Sequence, residues 1–255
     1  MLLIVADLLK IAPHANLDVV NKIVPFLNQY LPLYKINNRL RISHFLGQAA
    51  EETDGFRTLV EYASGRAYEG RRDLGNTQTG DGVRFKGRGM FDITGRYNYA
   101  SAAKAFDIDL ISHPELAATG KVAVLTACRY WNLHNLNVKA DNDDIRGITR
   151  AINGGYNGLD VRELYTKRAK SIVPLSFLRK APEDVPPIKA DPPLESLPVP
   201  VPHTVPPIEP PNQAPVVPTT PAIDNSLSKA DDMKNWLNEI VNDIQSEINF
   251  VISKI

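Results

Sequence analysis

The chain has 255 residues, 29 of them basic and 29 acidic, so its formal net charge is zero. Hydrophobic residues make up 43%, enough for a full core, and the length suits one or two domains. A single cysteine, Cys128, excludes an internal disulfide, and five histidines (14, 44, 113, 134, 203) show no metal-ligand spacing, so no metal or other cofactor is expected.

In chain order, helical periodicity dominates and strand signals are sparse. The apolar start, from Leu2 to about Ile11, lacks a basic leader and is interrupted by Asp7. It reads as the first helix of the fold rather than a signal peptide. A second helix is expected over Asn16 to Leu31, kinked or broken at Pro25. Asn37 or Asn38 can cap a third helix running to about Thr53, with Ile42, Phe45, Leu46, Ala49 and Ala50 on its apolar face. Gly55 to Gly89 is glycine-rich and aperiodic, and a long loop in a compact domain is more often functional than accidental. Helix returns from about Thr94 to Ala105. Ser112-His113-Pro114-Glu115 has the pattern of a capping box with proline in the first turn, opening a helix to about Leu133. Asp143 or Asp144 caps another over Ile145 to Ile152, stopped by Gly154-Gly155, and a last helix runs from Asp160 to about Ile172. Residues 1–180 are therefore expected to form a mainly α domain. No apolar run approaches the length of a transmembrane helix.

Beyond it the composition changes. Fifteen of the 20 prolines lie between Pro182 and Pro221, so residues 181–222 read as an extended proline-rich spacer. Residues 223–255 place Leu237, Val241, Ile244, Ile248, Val251 and Ile255 at alternating spacings of four and three. That heptad seam suits packing on a partner protein or self-association. Residues 1–180 hold 25 basic against 18 acidic residues, and the remainder is acidic. A basic domain suits a polyanionic target such as nucleic acid, an anionic membrane surface or bacterial wall. No base-reading motif or aromatic platform accompanies the charge, which argues against nucleic acid.

Nucleophile chemistry finds little support. There is no Gly-x-Ser-x-Gly, Cys128 sits in an apolar helical run, and Gly87-Arg88-Gly89 lacks the remainder of a phosphate loop. Carboxylates offer more. Glu51 and Glu52 adjoin at the C-terminal end of an apolar helix, where the helix dipole and their mutual repulsion favour a proton on one of them. Such a carboxyl is suited to general acid catalysis. Glu61 and Glu69 follow in the glycine-rich loop, and either could face Glu52 across a cleft as the second carboxyl of a glycosidase.

Three segments carry a resemblance: HFLGQAAEETDGF, then EYASGRAYEGRRDLGNTQTGDGVRFKGRGMFDITGRYNY, then ITRAINGGYNGLDVRELYTKR. Together they resemble glycoside hydrolase family 19, and within it the branch of bacteriophage endolysins and lysozyme-like bacterial enzymes. The resemblance implies a mainly helical, two-lobed lysozyme-like fold with a cleft. It also implies inverting, metal-free hydrolysis of β-1,4 linkages beside N-acetylglucosamine, in peptidoglycan or chitin. Glu52 matches the family's general acid, and Glu61, in Glu-x-Ala-Ser-Gly, the base that activates water, with Glu69 its rival. Thr94 and Asn98 match positions holding the attacking water and the acetamido group, and Asn153 and Arg162 match polar residues lining the cleft. For Thr94, Asn98 and Asn153 the alternative is capping of a helix or turn. For Arg162 it is a buried ion pair with an acid. Two positions depart from the pattern: Glu51 stands where His is usual, and Asp92 where Gln is usual. The absence of a leader, the lack of disulfides and the basic domain favour peptidoglycan as partner. Synthesis in the cytoplasm and delivery to the wall by a holin, by lysis or by an injection machine are then expected. The spacer and heptad would tether the enzyme to a larger assembly.

Overall fold

The computed structural model describes residues 3–173. The expected spacer at 181–222, the heptad at 223–255 and the last residues of the 1–180 domain lie outside the described residues.

Among the described residues the fold is nine α-helices: α1 Val5–Ile11, α2 Leu17–Tyr30, α3 Arg39–Glu52, α4 Asp81–Arg84, α5 Arg96–Phe106, α6 Gly120–Leu133, α7 Leu136–Asp141, α8 Ile145–Asn153 and α9 Leu159–Ile172. Short 3-10 turns lie at Arg66–Tyr68, Arg72–Leu74 and Pro114–Ala118. Extended pairing among these residues is limited to the isolated bridges Val60 to Arg88 and Arg88 to Ile93.

The capping residues act largely as their chemistry dictates. The Asn16 side chain accepts the Asp18 amide at 2.9 Å, Asn38 accepts that of Arg41 at 2.9 Å, and Asp144 accepts that of Gly147 at 2.8 Å. Gly154, at φ 76°, ends α8 in the left-handed conformation that glycine adopts without steric cost.

Three expectations need correction. Pro25 neither breaks nor ends α2, which runs unbroken through it. The proline faces solvent, where water can meet the carbonyl it leaves unpaired, while Val20, Ile23, Val24, Leu27 and Tyr30 hold the other face in the core. The Ser112 capping box does not form. The Ser112 amide instead donates to Asp109 Oδ1, and Pro114–Ala118 is a 3-10 turn. Extended Thr119 (φ −78°, ψ 151°) separates that turn from α6. Between α6 and α8 an additional helix, α7, follows left-handed Asn135. It buries only Leu136 and Ala140, too little apolar periodicity to announce itself.

Helices α3 and α6 are central. Every residue from Ile42 to Ala50 is buried, as is every residue from Val122 to Trp131, including Cys128. Gly47 brings α3 against α9: a Cβ there would lie 2.8 Å from the Thr166 backbone. The aromatic centre joins Phe45, Phe91 and Trp131, with Phe45 5.2 Å from Phe91 and 5.4 Å from Trp131. A second, smaller core gathers Phe85, Tyr99, Ala102, Leu110, Ala117 and Val122. Helix α6 contributes to both cores, through Val122 to one and Ala123 onward to the other. The stretch from Gly55 to Gly95 also contributes to both, through Phe56, Leu59, Met90 and Phe91 to the larger core and Phe85 to the smaller.

Candidate active site

Glu52 is the last residue of α3, and its side chain is 11% exposed. Burial of α3 on all sides fixes where that end points. Arg162 of α9, 2% exposed, donates from Nη2 to Glu52 Oε1 at 2.6 Å. The same guanidinium donates from Nη1 to Gln48 Oε1 at 2.6 Å, and Gln48 Nε2 donates to Thr149 Oγ1 of α8 at 3.1 Å. Three helices thus meet in one buried, charged network around a carboxylate. Arg162 has its other contact at the Asn157 carbonyl, 3.2 Å from Nε. Arg162 thus forms the buried ion pair with an acid that was one expectation for it.

Glu51 points elsewhere. Its carboxylate lies against Gly158, the residue that opens α9, so closely that a Cβ on Gly158 would fall 2.1 Å from Oε1. Burial raises the Glu51 carboxyl above its usual range, Arg162 opposes this and Glu52 adds to it.

Glu61 is held by different means. Gly87 donates its amide to Oε1 at 2.8 Å and the Tyr68 hydroxyl donates to Oε2 at 2.9 Å. Both donors are neutral. Burial, followed by the charge of Glu61, raises the Tyr68 hydroxyl far above its ordinary value, so Tyr68 stays a donor. Lys86 braces the backbone here, donating to the Glu61 and Ala63 carbonyls, both at 2.9 Å.

Glu69 is not in this cluster of contacts. It is exposed, and its two oxygens accept the Gly80 and Gly82 amides at 2.7 and 2.8 Å, on either side of the start of α4. That is a loop brace.

Asp92 lies at the turn of the Arg88–Ile93 bridge, with φ 40°. A left-handed conformation is costly for any residue but glycine, and asparagine and aspartate bear it best. It carries the carboxyl over Gly87. A Cβ on Gly87 would lie 3.2 Å from Asp92 Cγ, 3.3 Å from Glu61 Cδ and 3.3 Å from Thr94 Oγ1. Burial, and then the charges of Glu52 and Glu61, push the Asp92 carboxyl well above the carboxylate range, with Lys86 pulling the other way.

Thr94 is buried beside this group, its hydroxyl donating to the Asp92 carbonyl at 3.2 Å. Asn98, on the first turn of α5, donates from Nδ2 to the Thr94 carbonyl at 2.8 Å, which is the capping alternative. Asn153 ends α8 one turn beyond Thr149. Its Oδ1 is buried and meets no donor among the described residues. The structure therefore gathers Glu61, Asp92 and Thr94 at Gly87 and ties Glu52 to Arg162, with Asp92 subject to the charges of both Glu52 and Glu61. No group of His, Cys, Asp and Glu among the described residues is suited to a metal ion.

Sequence reasoning alone did not single out Tyr68, Gln48 or Gly87 as functional. Each stands in a quoted segment: Tyr68 just before Glu69, Gln48 one helical turn before Glu52, and Gly87 at the head of Gly-Arg-Gly.

The family described as chitinase class I, glycoside hydrolase family 19, matches residues 35–150. A glycosyl hydrolase family 19 domain-containing protein of Haemophilus influenzae is 37% identical over 102 residues, which are 40% of this chain and 49% of that protein. An acidic endochitinase of Petunia hybrida is 36% identical over 111 residues, covering 42% of this chain and 41% of the endochitinase. The chain thus spans about half or less of the length of these relatives. Chitinase C from Streptomyces griseus shares the fold with a TM-score of 0.53 at 22% identity, over 66% of this chain and 75% of that one. A bacterial family 19 chitinase aligns with a TM-score of 0.52 at 20% identity, over 69% and 97% of the two chains. Residues 35–150 thus match glycoside hydrolase family 19, and the helical architecture is shared with these chitinases.

Proposed function

We propose that the domain is a glycosidase that cleaves β-1,4 linkages between N-acetylated amino sugars by inverting acid–base catalysis, and that its substrate is peptidoglycan. The observation that carries this reading is the pair Glu52 and Glu61. They sit on separate elements, each held by a different kind of partner, and the charges of both raise the Asp92 carboxyl.

Glu52 is the acid. It donates its proton to the leaving glycosidic oxygen, and Arg162 favours the carboxylate that Glu52 becomes as the bond breaks. Glu61 is the base. Its oxygens, fixed by Gly87 and Tyr68, take a proton from a water as that water attacks the anomeric carbon from the opposite face. One proton enters the leaving group, one leaves the water, and the new hydroxyl has the inverted configuration. Thr94 and the unpaired Oδ1 of Asn153 are offered as contacts for the water and the sugar.

Peptidoglycan is favoured by charge. Residues 1–180 hold 25 basic against 18 acidic residues, and the turn that brings Tyr68 to Glu61 leaves Arg66 exposed. Wall stem peptides carry carboxylates, which such a surface attracts. The second reading is chitin, favoured by the names of the endochitinase relatives. The proline-rich and heptad segments are proposed to tether the domain to a larger assembly, in which case residues 1–180 alone would cleave soluble substrate at the full rate.

The test compares wild type with Glu52→Gln on purified peptidoglycan and on chitin oligomers. Release from peptidoglycan by wild type alone supports the reading. Cleavage of chitin oligomers with no release from peptidoglycan transfers the substrate to chitin. Equal cleavage by both proteins removes Glu52 from the acid role.

A further inference from the structure

Asp92 is a carboxyl beside Glu61 that the reaction above does not use. It stands where the family resemblance leads one to expect an amide. Its backbone is held in the left-handed region by the Arg88–Ile93 turn, in which Ile93 donates its amide to the Arg88 carbonyl at 2.8 Å. Such a conformation persists where the surroundings over-determine it, and is common at working sites. The carboxyl hangs over Gly87, where any larger residue would crowd it, Glu61 and Thr94 together. The Asp92 and Glu61 carboxyl carbons each lie within 3.3 Å of one point above Gly87. Like charges on two carboxyl groups this near oppose each other, which favours a proton on one of them.

The charged and titratable groups around it decide which one keeps the proton. Glu52 faces it from α3, Glu61 and Tyr68 from the loop, and Tyr99 from α5. Among the described residues the cation that opposes this is Lys86, whose ammonium is engaged by the Glu61 and Ala63 carbonyls. Glu61 has two donors aimed at its oxygens. Asp92, partly buried, has no such pair of donors, so the proton of these two carboxyls resides there.

We propose that Asp92 is a neutral positioning residue of the base end of the site, its O–H donating to the Glu61 carboxylate and its carbonyl oxygen accepting the second hydrogen of the attacking water. A protonated carboxyl offers one donor and one acceptor, as a side-chain amide does. Aspartate therefore fills an amide's role here as long as it stays protonated. Ionisation would put a second negative charge against Glu61 and remove the donor. The site would then lose activity on the alkaline side through Asp92. This inference rests on Glu61 as the base.

The experiment uses the full chain, with Asp92→Asn and Asp92→Ala. Asn keeps a neutral donor and acceptor, whereas Ala keeps neither. The expected result is that Asp92→Ala loses at least about tenfold in kcat, within the range of acid–base contributions, while Asp92→Asn stays within about threefold of wild type. The alkaline limb of the Asp92→Asn profile should move to higher pH, because Asn does not ionise. Infrared difference spectra at neutral pH should show a protonated carboxylic carbonyl band in wild type that Asp92→Asn removes. Loss of activity in Asp92→Asn equal to that in Asp92→Ala, or an unmoved alkaline limb, overturns the proposal. So does a wild-type spectrum without the band. The infrared readout does not depend on turnover. Should wild type cleave neither polymer, the glycosidase reading fails, while the band still reports whether Asp92 is neutral.

Discussion

The two ends of the site are built from opposite materials. Glu52 closes a fully buried helix and is locked by a charged network that runs through Arg162 and Gln48 to Thr149. Glu61 sits on an irregular loop and is held by one backbone amide and one hydroxyl, with Asp92 close by. A buried ion pair fixes position through strong, directional contacts, and removing one partner is severe. A carboxylate held by neutral donors keeps its charge available to take up a proton. The proposed acid is therefore held by charge and the proposed base by neutral donors.

The largest expected effect tests whether both ends are needed. Glu52→Gln and Glu61→Gln should each lower kcat by about 10²–10⁴-fold, measured on peptidoglycan fragments, whereas Glu69→Gln should leave kcat near wild type because Glu69 braces the loop. Next comes the lock on the acid end. Arg162→Met leaves Glu52 and Gln48 without their shared partner and should cost about 3–5 kcal/mol, read by urea unfolding. The helix contact behind that lock is smaller. Gly47→Ala drives a methyl into Thr166 of α9 and should cost about 1–3 kcal/mol in the same assay. At the base end, Tyr68→Phe removes one neutral hydrogen bond from Glu61. It should weaken the site by about 0.5–1.5 kcal/mol, seen in kcat more than in KM.

The last prediction concerns stability and pH. The Asp92 carboxyl is raised on folding, so its contribution to stability is complete below the unfolded value of about 4 and is lost as pH rises towards the folded value. Asp92→Asn should therefore raise Tm at pH 7 and leave it near wild type at about pH 3.5. An equal change in Tm at both pH values would show that Asp92 is charged in the folded chain.

Much of this fold is legible in the sequence because short-range chemistry decides it. Asn16, Asn38 and Asp144 cap the helices they precede, and Gly154 ends α8. Pro25 and Ser112 mislead because tertiary context overrides local preference. The solvent face of α2 tolerates a proline, and Asp109 takes the Ser112 amide. In the site, Glu52 is legible because an acid at the end of an apolar helix has few places to go. Glu61 and Glu69 are not separable by spacing, since a loop carboxylate is defined by the amides it meets: Gly87 for one, Gly80 and Gly82 for the other. Asp92 is visible only as a departure from a pattern. Its place depends on a left-handed turn and on the missing side chain of Gly87, neither of which local periodicity encodes.

The central claim is a water activated by Glu61 on the face opposite to Glu52. It is tested most directly by proton NMR of the first product released from soluble wall glycan, recorded before the anomers equilibrate. The new reducing end should appear first as the α anomer, inverted from the β linkage. Initial appearance of the β anomer would contradict it.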